Sequence, residues 1–360
     1  MAEPRIVIPV VAGSSPVGHP LPLMGADEKF MREAIRLARK GLGKTRPNPA
    51  VGCVIVKKGR VIGRGWHRQA GLPHAEIEAL RSLKNPAAAD GAIVYITIEP
   101  CSTHGRTPPC TKALIDAGVK RVVVGAIDPN PKHRGRGIKL LRAAGIKTTT
   151  GVLRAKCEAL NPEFNHVMST GLPWVIAKCG MSLDGRLTRP PGEGQWITSP
   201  AARRDAMKLR ARVDAILVGA GTVRADNPSL TIRGLGKTAV QPWRVVWAPR
   251  RRPPKGSKIF TDRQRARTLV LTHRTLKAAL TDLAGRGIQS VLVEGGGYTL
   301  GKLFDARLAR EAVFYLAPLL AGGRISAVGG LRSSAINSQL LSSPRCSRLG
   351  DNLRITGFIL

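Results

Sequence analysis

Four side chains between positions 74 and 110 constrain this chain more than any other feature. His74 and Glu76, in the run His74-Ala75-Glu76, open a stretch with helical spacing. Cys101 follows Pro100 at the end of an apolar strand, and Cys110 comes nine residues later. A fold that uses the four together must bring a helix start and a strand end to one point. One imidazole and two thiolates make three zinc ligands, which leaves a fourth position open for water. Zinc lowers the pKa of such a water towards ~7. Glu76, two residues from the imidazole, can move protons without binding metal. A purely structural zinc centre would want a fourth protein ligand and would leave Glu76 without a task. The other cysteines, Cys53, Cys157, Cys179 and Cys346, read as small buried hydrophobes. Six cysteines in 360 residues do not make a disulfide scaffold.

The surrounding pattern is α/β. Phe30, Met31, Ala34, Leu37 and Ala38 recur at helical spacing from Asp27, and Gly41 and Gly43 end that helix. Strands follow at Val51–Val56 and Val61–Trp66, joined by a Lys58-Gly59 turn. A helix over about Pro73–Leu83 comes next, then the strand Ala92–Ile98, a helix after Cys110, and the strand Arg121–Ile127. A short helix and the strand Ile146–Val152 complete this half. A helix around Lys156–Ser169 then leads to Gly171-Leu172-Pro173, a natural boundary. Beyond it the pattern restarts with strand Trp174–Cys179, helix Pro200–Arg212 and strands Ala215–Gly219, Arg244–Trp247 and Thr268–Thr272. A helix, the strand Ser290–Glu294 and two β-rich pieces, Ala312–Ala317 and Asn352–Leu360, close the chain. The expected organisation is a flexible Pro-, Gly- and Ser-rich extension over 1–24, a domain over 25–170 and a second over 171–360.

Composition narrows the classes. No apolar run approaches the ~18–20 residues of a membrane-spanning helix. At 43% hydrophobic and 22% charged the chain is ordinary globular protein, neither coiled coil nor disordered. The formal net charge of +35 is spread as +15 over residues 25–170 and +20 over 171–360, so it is no detachable basic tail. Nucleic acid, an anionic surface or phosphorylated small molecules would all suit it. Aromatics at 4% are too sparse for the stacking platforms of single-strand binders, which disfavours nucleic acid. The apolar stretch Arg5–Val11 is short and interrupted by Pro9, a poor export signal, so the expected location is the cytoplasm.

His-x-Glu followed by Pro-Cys and a second cysteine is the signature of zinc nucleobase deaminases, which usually place two residues between the cysteines. Here eight intervene. The stretches Thr45–Cys53, Gly71–Glu76, Glu99–Cys110 and Asp128-Pro129-Asn130-Pro131 closely resemble the bifunctional riboflavin-biosynthesis deaminase/reductase family. The resemblance implies a three-layer α/β/α cytidine-deaminase-like domain holding one zinc ion per chain on His74, Cys101 and Cys110, with Glu76 as proton carrier. It implies hydrolytic loss of the 2-amino group of a diaminopyrimidinone ribotide as ammonia. Asn48, His67, Arg106, Asp128 and Asn130 stand at the family's substrate contacts, and Arg106 suits a ribose phosphate because guanidinium pairs phosphate oxygens bidentately. Thr103 stands where the family usually has histidine, and Lys-His-Arg follows Pro131.

The second half has no Gly-x-Gly-x-x-Gly between strand and helix, so a Rossmann reading is weak. Glu294-Gly295-Gly296-Gly297 ends a buried strand and starts a helix. Its N–H groups could hold a phosphate, or its glycines could simply permit a tight turn. With Lys178, Ser182–Arg186, Gln195–Ser199, Leu209–Ala211 and Gly219–Pro228, it resembles the reductase half of the same family, a dihydrofolate-reductase-like α/β domain. The resemblance, which runs from about Met24 to the C-terminus, implies NADPH-dependent reduction at C1′ of the opened ribose. It places Lys178 and Asp226 as catalytic residues and Arg210, Leu230, Arg233 and Glu294 around the substrate, with Arg210 and Arg233 as phosphate clamps. Gly180, Trp196, Thr222, Asp226 and Gly295–Gly297 lie towards the nucleotide. Gly194 replaces a serine expected before Gln195. The expected partners are a phosphorylated pyrimidine and a second copy of the chain in a homodimer or higher oligomer, with neither membrane nor nucleic acid. The alternative is a tRNA-editing deaminase with a basic RNA-binding appendage, against which stand the eight-residue cysteine gap and the full second domain.

Overall fold

The first helix, α1 (Met24–Ala38), lies against a sheet because one of its sides is apolar. Phe30, Met31, Ala34, Leu37 and Ala38 are all buried, together with Val54, Val56, Tyr95 and Val123 of the strands beneath. The computed structural model describes residues 24–103, 109–190, 192–194, 196–236, 240–322, 325–329 and 339–359. The expected extension lies outside these apart from Met24, where α1 already begins.

After α1 come β1 (Gly52–Lys57), β2 (Arg60–Trp66), α2 (Ala75–Arg81), β3 (Ile93–Ile98), α3 (Cys110–Asp116), β4 (Arg121–Ala126), α4 (Arg136–Ala143), β5 (Lys147–Thr150), α5 (Arg154–Glu158) and α6 (Pro162–Thr170). The five strands form one sheet in the order β2-β1-β3-β4-β5, antiparallel across β2, β1 and β3 and parallel across β3, β4 and β5. Both faces are covered. Val54 and Val56 face α1, while Cys53, Ile55, Val94 and Ile96 pack with Ala75 and Ala79 of α2, Leu114 of α3 and Leu141 of α4. This is the three-layer arrangement expected. The helix expected over Lys156–Ser169 is two helices. Proline has no N–H to extend α5, and Pro162 instead takes the first turn of α6, where none is needed.

The second half contains β6 (Trp174–Ser182), α7 (Pro200–Arg212), β7 (Ala215–Gly219), α8 (Ala220–Asp226), β8 (Trp243–Trp247), α9 (Lys258–Thr261), β9 (Thr268–Leu271), α10 (Leu276–Gly285), β10 (Ser290–Val293), α11 (Gly297–Asp305), β11 (Glu311–Ala317), β12 (Leu341–Leu349) and β13 (Asn352–Ile359). Its eight strands run β12-β13-β11-β6-β10-β7-β8-β9, parallel from β11 to β9 and antiparallel at β13 and β12. Helices α10 and α11 cover one face, and α7, α8 and α9 the other. The sequence pattern does not predict α8, α9 or β12. Strand β12 is polar and carries Pro344, and its register shifts between Ser342 and Arg345. An outer strand tolerates proline at such an irregularity because pairing with β13 supplies what propensity lacks.

Candidate active sites

Helix α2 approaches β2 closely enough that a Cβ on Gly65 would lie 2.2 Å from the carbonyl oxygen of Ala75. Glycine at this position sets where the start of α2 falls. His74 is its N-cap and Glu76 lies in its first turn, buried. Cys101 follows β3, and Cys110 is the first residue of α3. The fold thus gathers four residues spread over three elements. His74 Nδ1 is 3.2 Å from Cys110 Sγ and 3.5 Å from Cys101 Sγ, and one ligand atom from each of the three lies within 4.8 Å of the others. The backbone N–H of Cys110 also donates to Cys101 Sγ at 3.3 Å.

The donor chemistry fits zinc. The hydrogen bond between the two thiols draws Cys101 well below the usual thiol range and pushes Cys110 well above it, so the pair favours one thiolate beside one thiol, and a zinc ion would take the second proton's place. One imidazole and two sulfurs form the cluster among the described residues, the donor number of a catalytic rather than a structural centre. Glu76 stands outside this donor set. Burial, and then the neighbouring Cys101, lift its carboxyl to about 7.

A hydrogen-bonded chain leads away from the cluster. His67 Nδ1 is 3.0 Å from the carbonyl oxygen of Pro73, and a carbonyl only accepts, so Nδ1 carries the proton. In the neutral ring Nε2 is then an acceptor, and it receives Asn48 Nδ2 at 3.3 Å. Burial holds His67 below the usual histidine range, in keeping with the neutral ring. Asn48 spends one N–H of its amide on His67, which leaves Oδ1 and the second N–H to present to a ligand. At the end of β4, Asp128 Oδ1 accepts from the N–H of Asn130 at 2.9 Å, and Asn130 Oδ1 from Lys132 at 3.0 Å. Arg106 lies outside the described residues, and Thr103 is exposed.

One residue that sequence reasoning missed holds this region together. Glu99 is buried, and its carboxylate accepts from the N–H groups of Asp128, Gly135, Gly137 and Ile138 at 2.9–3.4 Å. It ties the strand that delivers Cys101 to the Asp128–Asn130 turn and to the start of α4. Its place directly before Pro100-Cys101 was the available signal.

The second site forms at the carboxyl ends of the parallel strands, where open α/β sheets bind ligands. Lys178 on β6 stands 3.9 Å from Glu294 Oε2, at the end of β10. Arg210 of α7 donates to both oxygens of Glu294, from Nε at 2.7 Å and Nη2 at 2.9 Å, and from Nη1 to the carbonyl oxygen of Thr231 at 2.9 Å. Three of its five N–H donors are thus engaged within the protein, which leaves one on each Nη for a ligand. Burial would raise the Glu294 carboxyl, but Arg210 and then Lys178 outweigh it and hold it at about 2.

Leu230 is buried yet takes the left-handed backbone, φ 50°, which costs a branched residue about 1–2 kcal/mol. Two arginines hold it there. Arg210 grips the following carbonyl at Thr231, and the fully buried Arg244 grips the preceding one at Ser229, at 2.9 Å. Arg244 also binds both oxygens of Asp262 and the carbonyl of Ile259. Sequence reasoning missed it. The signal was a lone arginine inside the apolar run of β8.

The glycine turn answers a question that its sequence leaves open. A Cβ on Gly295 would lie 2.5 Å from Thr299 Cβ, and one on Gly297 would lie 2.2 Å from the carbonyl oxygen of Ser326. The N–H of Gly296 donates to Thr222 Oγ1 at 3.2 Å. Packing therefore demands two of the glycines, and the third spends its N–H within the protein. Gly180 faces Thr198. Asp226 closes α8 and is exposed, as is Arg233. Trp196 is exposed with the Arg203 guanidinium 4.8 Å above its ring.

Residues 24–126 match the cytidine and deoxycytidylate deaminase zinc-binding region, and residues 173–348 match the RibD C-terminal domain. The riboflavin biosynthesis protein RibD of Bacillus amyloliquefaciens is 42% identical over 324 residues, covering 83% of this chain and 86% of that one. The protein of the same name from Escherichia coli K12 is 42% identical over 327 residues, 82% of this chain and 89% of its own. Among solved structures, Acinetobacter baumannii RibD in its form 2 superimposes with a TM-score of 0.83 at 36% identity, covering 94% of this chain and all of that one. A Thermotoga maritima diaminohydroxyphosphoribosylaminopyrimidine deaminase/5-amino-6-(5-phosphoribosylamino)uracil reductase gives 0.77 at 32% identity over 94% and 99% of the two chains. Two sheets, two sites and two matching domains agree: the chain belongs to the RibD family of bifunctional riboflavin-biosynthesis enzymes, a zinc-binding deaminase half joined to a reductase half.

Proposed function

We propose that the chain deaminates 2,5-diamino-6-(5-phosphoribosylamino)pyrimidin-4(3H)-one and then reduces its ribosyl side chain to give 5-amino-6-(5-phosphoribitylamino)uracil. The observation that carries the first step is the three-donor cluster of His74, Cys101 and Cys110 with the buried, non-ligating Glu76 beside it. A zinc ion held there would supply an activated water and a polarised ring carbon. Glu76 takes a proton from the nucleophile and passes one to the departing amine. Asn48 Oδ1 and its second N–H, Asp128 Oδ2 and Asn130 Nδ2 are the polar groups left for the pyrimidine once internal hydrogen bonds are counted, and Arg106 is assigned to the phosphate. His67 keeps Asn48 in its orientation.

NADPH, when bound, would supply the hydride for the second step. Glu294, held ionised by Arg210 and Lys178, orients the opened ribose through its hydroxyls. Lys178 and Asp226 carry the proton that accompanies hydride transfer, and Leu230 and Arg233 close over the ribotide. Gly180, Trp196, Thr222 and Gly295–Gly297 form the nucleotide side.

The deaminase domain is assigned to 25–170 and the reductase to 171–360, with 1–24 as an extension. The two separate sheets and the left-handed Gly171 that ends α6 support that division. No described helix is long and apolar enough to cross a membrane. Six free cysteines suit the reducing cytoplasm. Strand β12, an outer strand exposed from Ser343 to Arg348, supports a homodimer or higher oligomer by offering an edge that is unpaired among the described residues. A small phosphorylated substrate, rather than nucleic acid, is its partner.

The test is NADPH consumption by zinc-loaded protein supplied with the diaminopyrimidinone ribotide. Consumption should stop when zinc is chelated and resume when the deaminated ribotide is added. No consumption with either compound would refute the reductase assignment.

A further inference from the structure

The turn that carries Asn48 is held from the other half of the molecule. The turn closes through the Asn48 N–H and the Thr45 carbonyl at 2.8 Å. On its outer side, Gln289 Nε2 donates to the carbonyl oxygen of Pro47 at 2.6 Å across 242 residues of sequence. Arg46 Nη1 donates to Asp214 Oδ1 at 3.1 Å and to the carbonyl of Arg212 at 2.9 Å, while Nη2 stands 3.6 Å from Glu163. A water-sized cavity of about 40 Å³ lies at this joint, lined among others by Arg46, Asn48, Asn161 and Gln289.

Gln289 is itself immobilised. It is buried, its N–H donates to Asp214 Oδ2 at 3.0 Å, and its carbonyl accepts from Trp174 at 2.7 Å. Asp214 Oδ2 also takes the N–H and hydroxyl of Ser290 at 2.9 and 3.0 Å. The amide that reaches Pro47 therefore projects from the rigid amino end of the reductase sheet. Glu294 lies at the opposite, carboxyl end of the same strand. Five residues at about 3.3 Å each put the two positions about 16 Å apart.

We infer that Gln289, supported by Asp214, is a positioning residue for the deaminase site. It holds the Arg46-Pro47 step, and through it the Asn48–His67 pair that leads to Pro73 and the metal cluster. The inference rests on the reading of Asn48 as a contact of the deaminase substrate. It makes the deaminase half dependent on the docked reductase half, while the reductase site, at the far end of the sheet, does not depend on the joint.

The experiment uses full-length, zinc-loaded protein. Gln289→Met keeps the side-chain volume and removes the donor, and Arg46→Ala removes the second arm from the deaminase side. Loss of one neutral hydrogen bond should raise KM for deamination roughly 3–10-fold in Gln289→Met. Its kcat, zinc content and reduction of the deaminated ribotide should stay within about twofold of wild type. In an Asn48→Ala background the Gln289 effect should vanish, because the two act through one contact. An effect of full size in that background, an unchanged KM in both Gln289→Met and Arg46→Ala, or an equal fall in reduction would overturn the inference. If Asn48→Ala raises KM and Gln289→Met does not, the Asn48 reading stands and the positioning role falls. If Asn48→Ala has no effect, both fall.

Discussion

Arg210 meets Glu294 along both carboxylate oxygens, at 2.7 and 2.9 Å, while its remaining nitrogen holds the loop that forces Leu230 into a left-handed backbone. One guanidinium thus sets two parts of the proposed reductase site. A carboxylate enclosed with Arg210 and Lys178 stays charged where burial alone would neutralise it.

That pairing predicts an acid-sensitive contribution to stability. The folded-state pKa of Glu294 is depressed from 4.5 to about 2, so its contribution is complete above about pH 4.5 and is lost as pH falls towards 2. A shift of that size corresponds to about 3 kcal/mol. Denaturant unfolding of wild type and Glu294→Gln should differ by about that much at pH 7, and the two should converge between pH 4.5 and 2. Curves that remain parallel across this window would contradict the pairing.

Glu76→Gln should retain zinc, because the carboxylate is not a ligand. Its deamination rate should fall by about 10²–10⁴, the usual value of a positioned acid–base group. Reduction of the deaminated ribotide should be unchanged. Normal deamination by this variant would remove Glu76 from the mechanism.

Zinc removal should separate the halves. Dialysis against a chelator is expected to abolish deamination and leave reduction intact, since the ligands His74, Cys101 and Cys110 all belong to the first sheet's surroundings. Metal analysis of Cys101→Ser and Cys110→Ser should show loss of the stoichiometric ion. Full zinc retention in both would place the metal elsewhere.

Gly301 of α11 faces Gly329 so closely that an added Cβ would lie 1.7 Å from its carbonyl oxygen. Gly301→Ala must displace backbone and should destabilise the reductase half by about 1–3 kcal/mol. Gly256→Ala, whose Cβ would meet nothing within 4 Å, should change stability by less than about 0.5 kcal/mol. Thermal unfolding of the two variants side by side tests the packing, and equal midpoints would show that α11 can move away.

Arg244→Met should cost about 1–3 kcal/mol, because it leaves the Ser229 carbonyl without its donor and takes one of two donors from the Ile259 carbonyl, which keeps Thr268 Oγ1, while the partly exposed Asp262 carboxylate turns to water. With Ser229 released, Leu230 loses half of its restraint, so KM for reduction should rise as well. A variant as stable as wild type would mean that these groups rehydrate freely.

Much of this was legible from residues in order along the chain. His74, Glu76, Cys101 and Cys110 announce their chemistry because metal ligation restricts residue type and spacing severely. Strands such as Ala215–Gly219 announce themselves because both faces are buried and every position must be apolar. The partners of polar groups follow another logic. Arg210 looks like any basic residue near the end of a helix until the crossover returning through β10 brings Glu294 beside it. Strand β12 has no pattern of its own, since β13 supplies its ladder. Gln289 and Pro47, 242 residues apart, meet only because two independently patterned sheets dock there. Residue type and short spacing record what a side chain can do. Which distant backbone or charge it does it with depends on packing of the whole chain, and no local pattern encodes that.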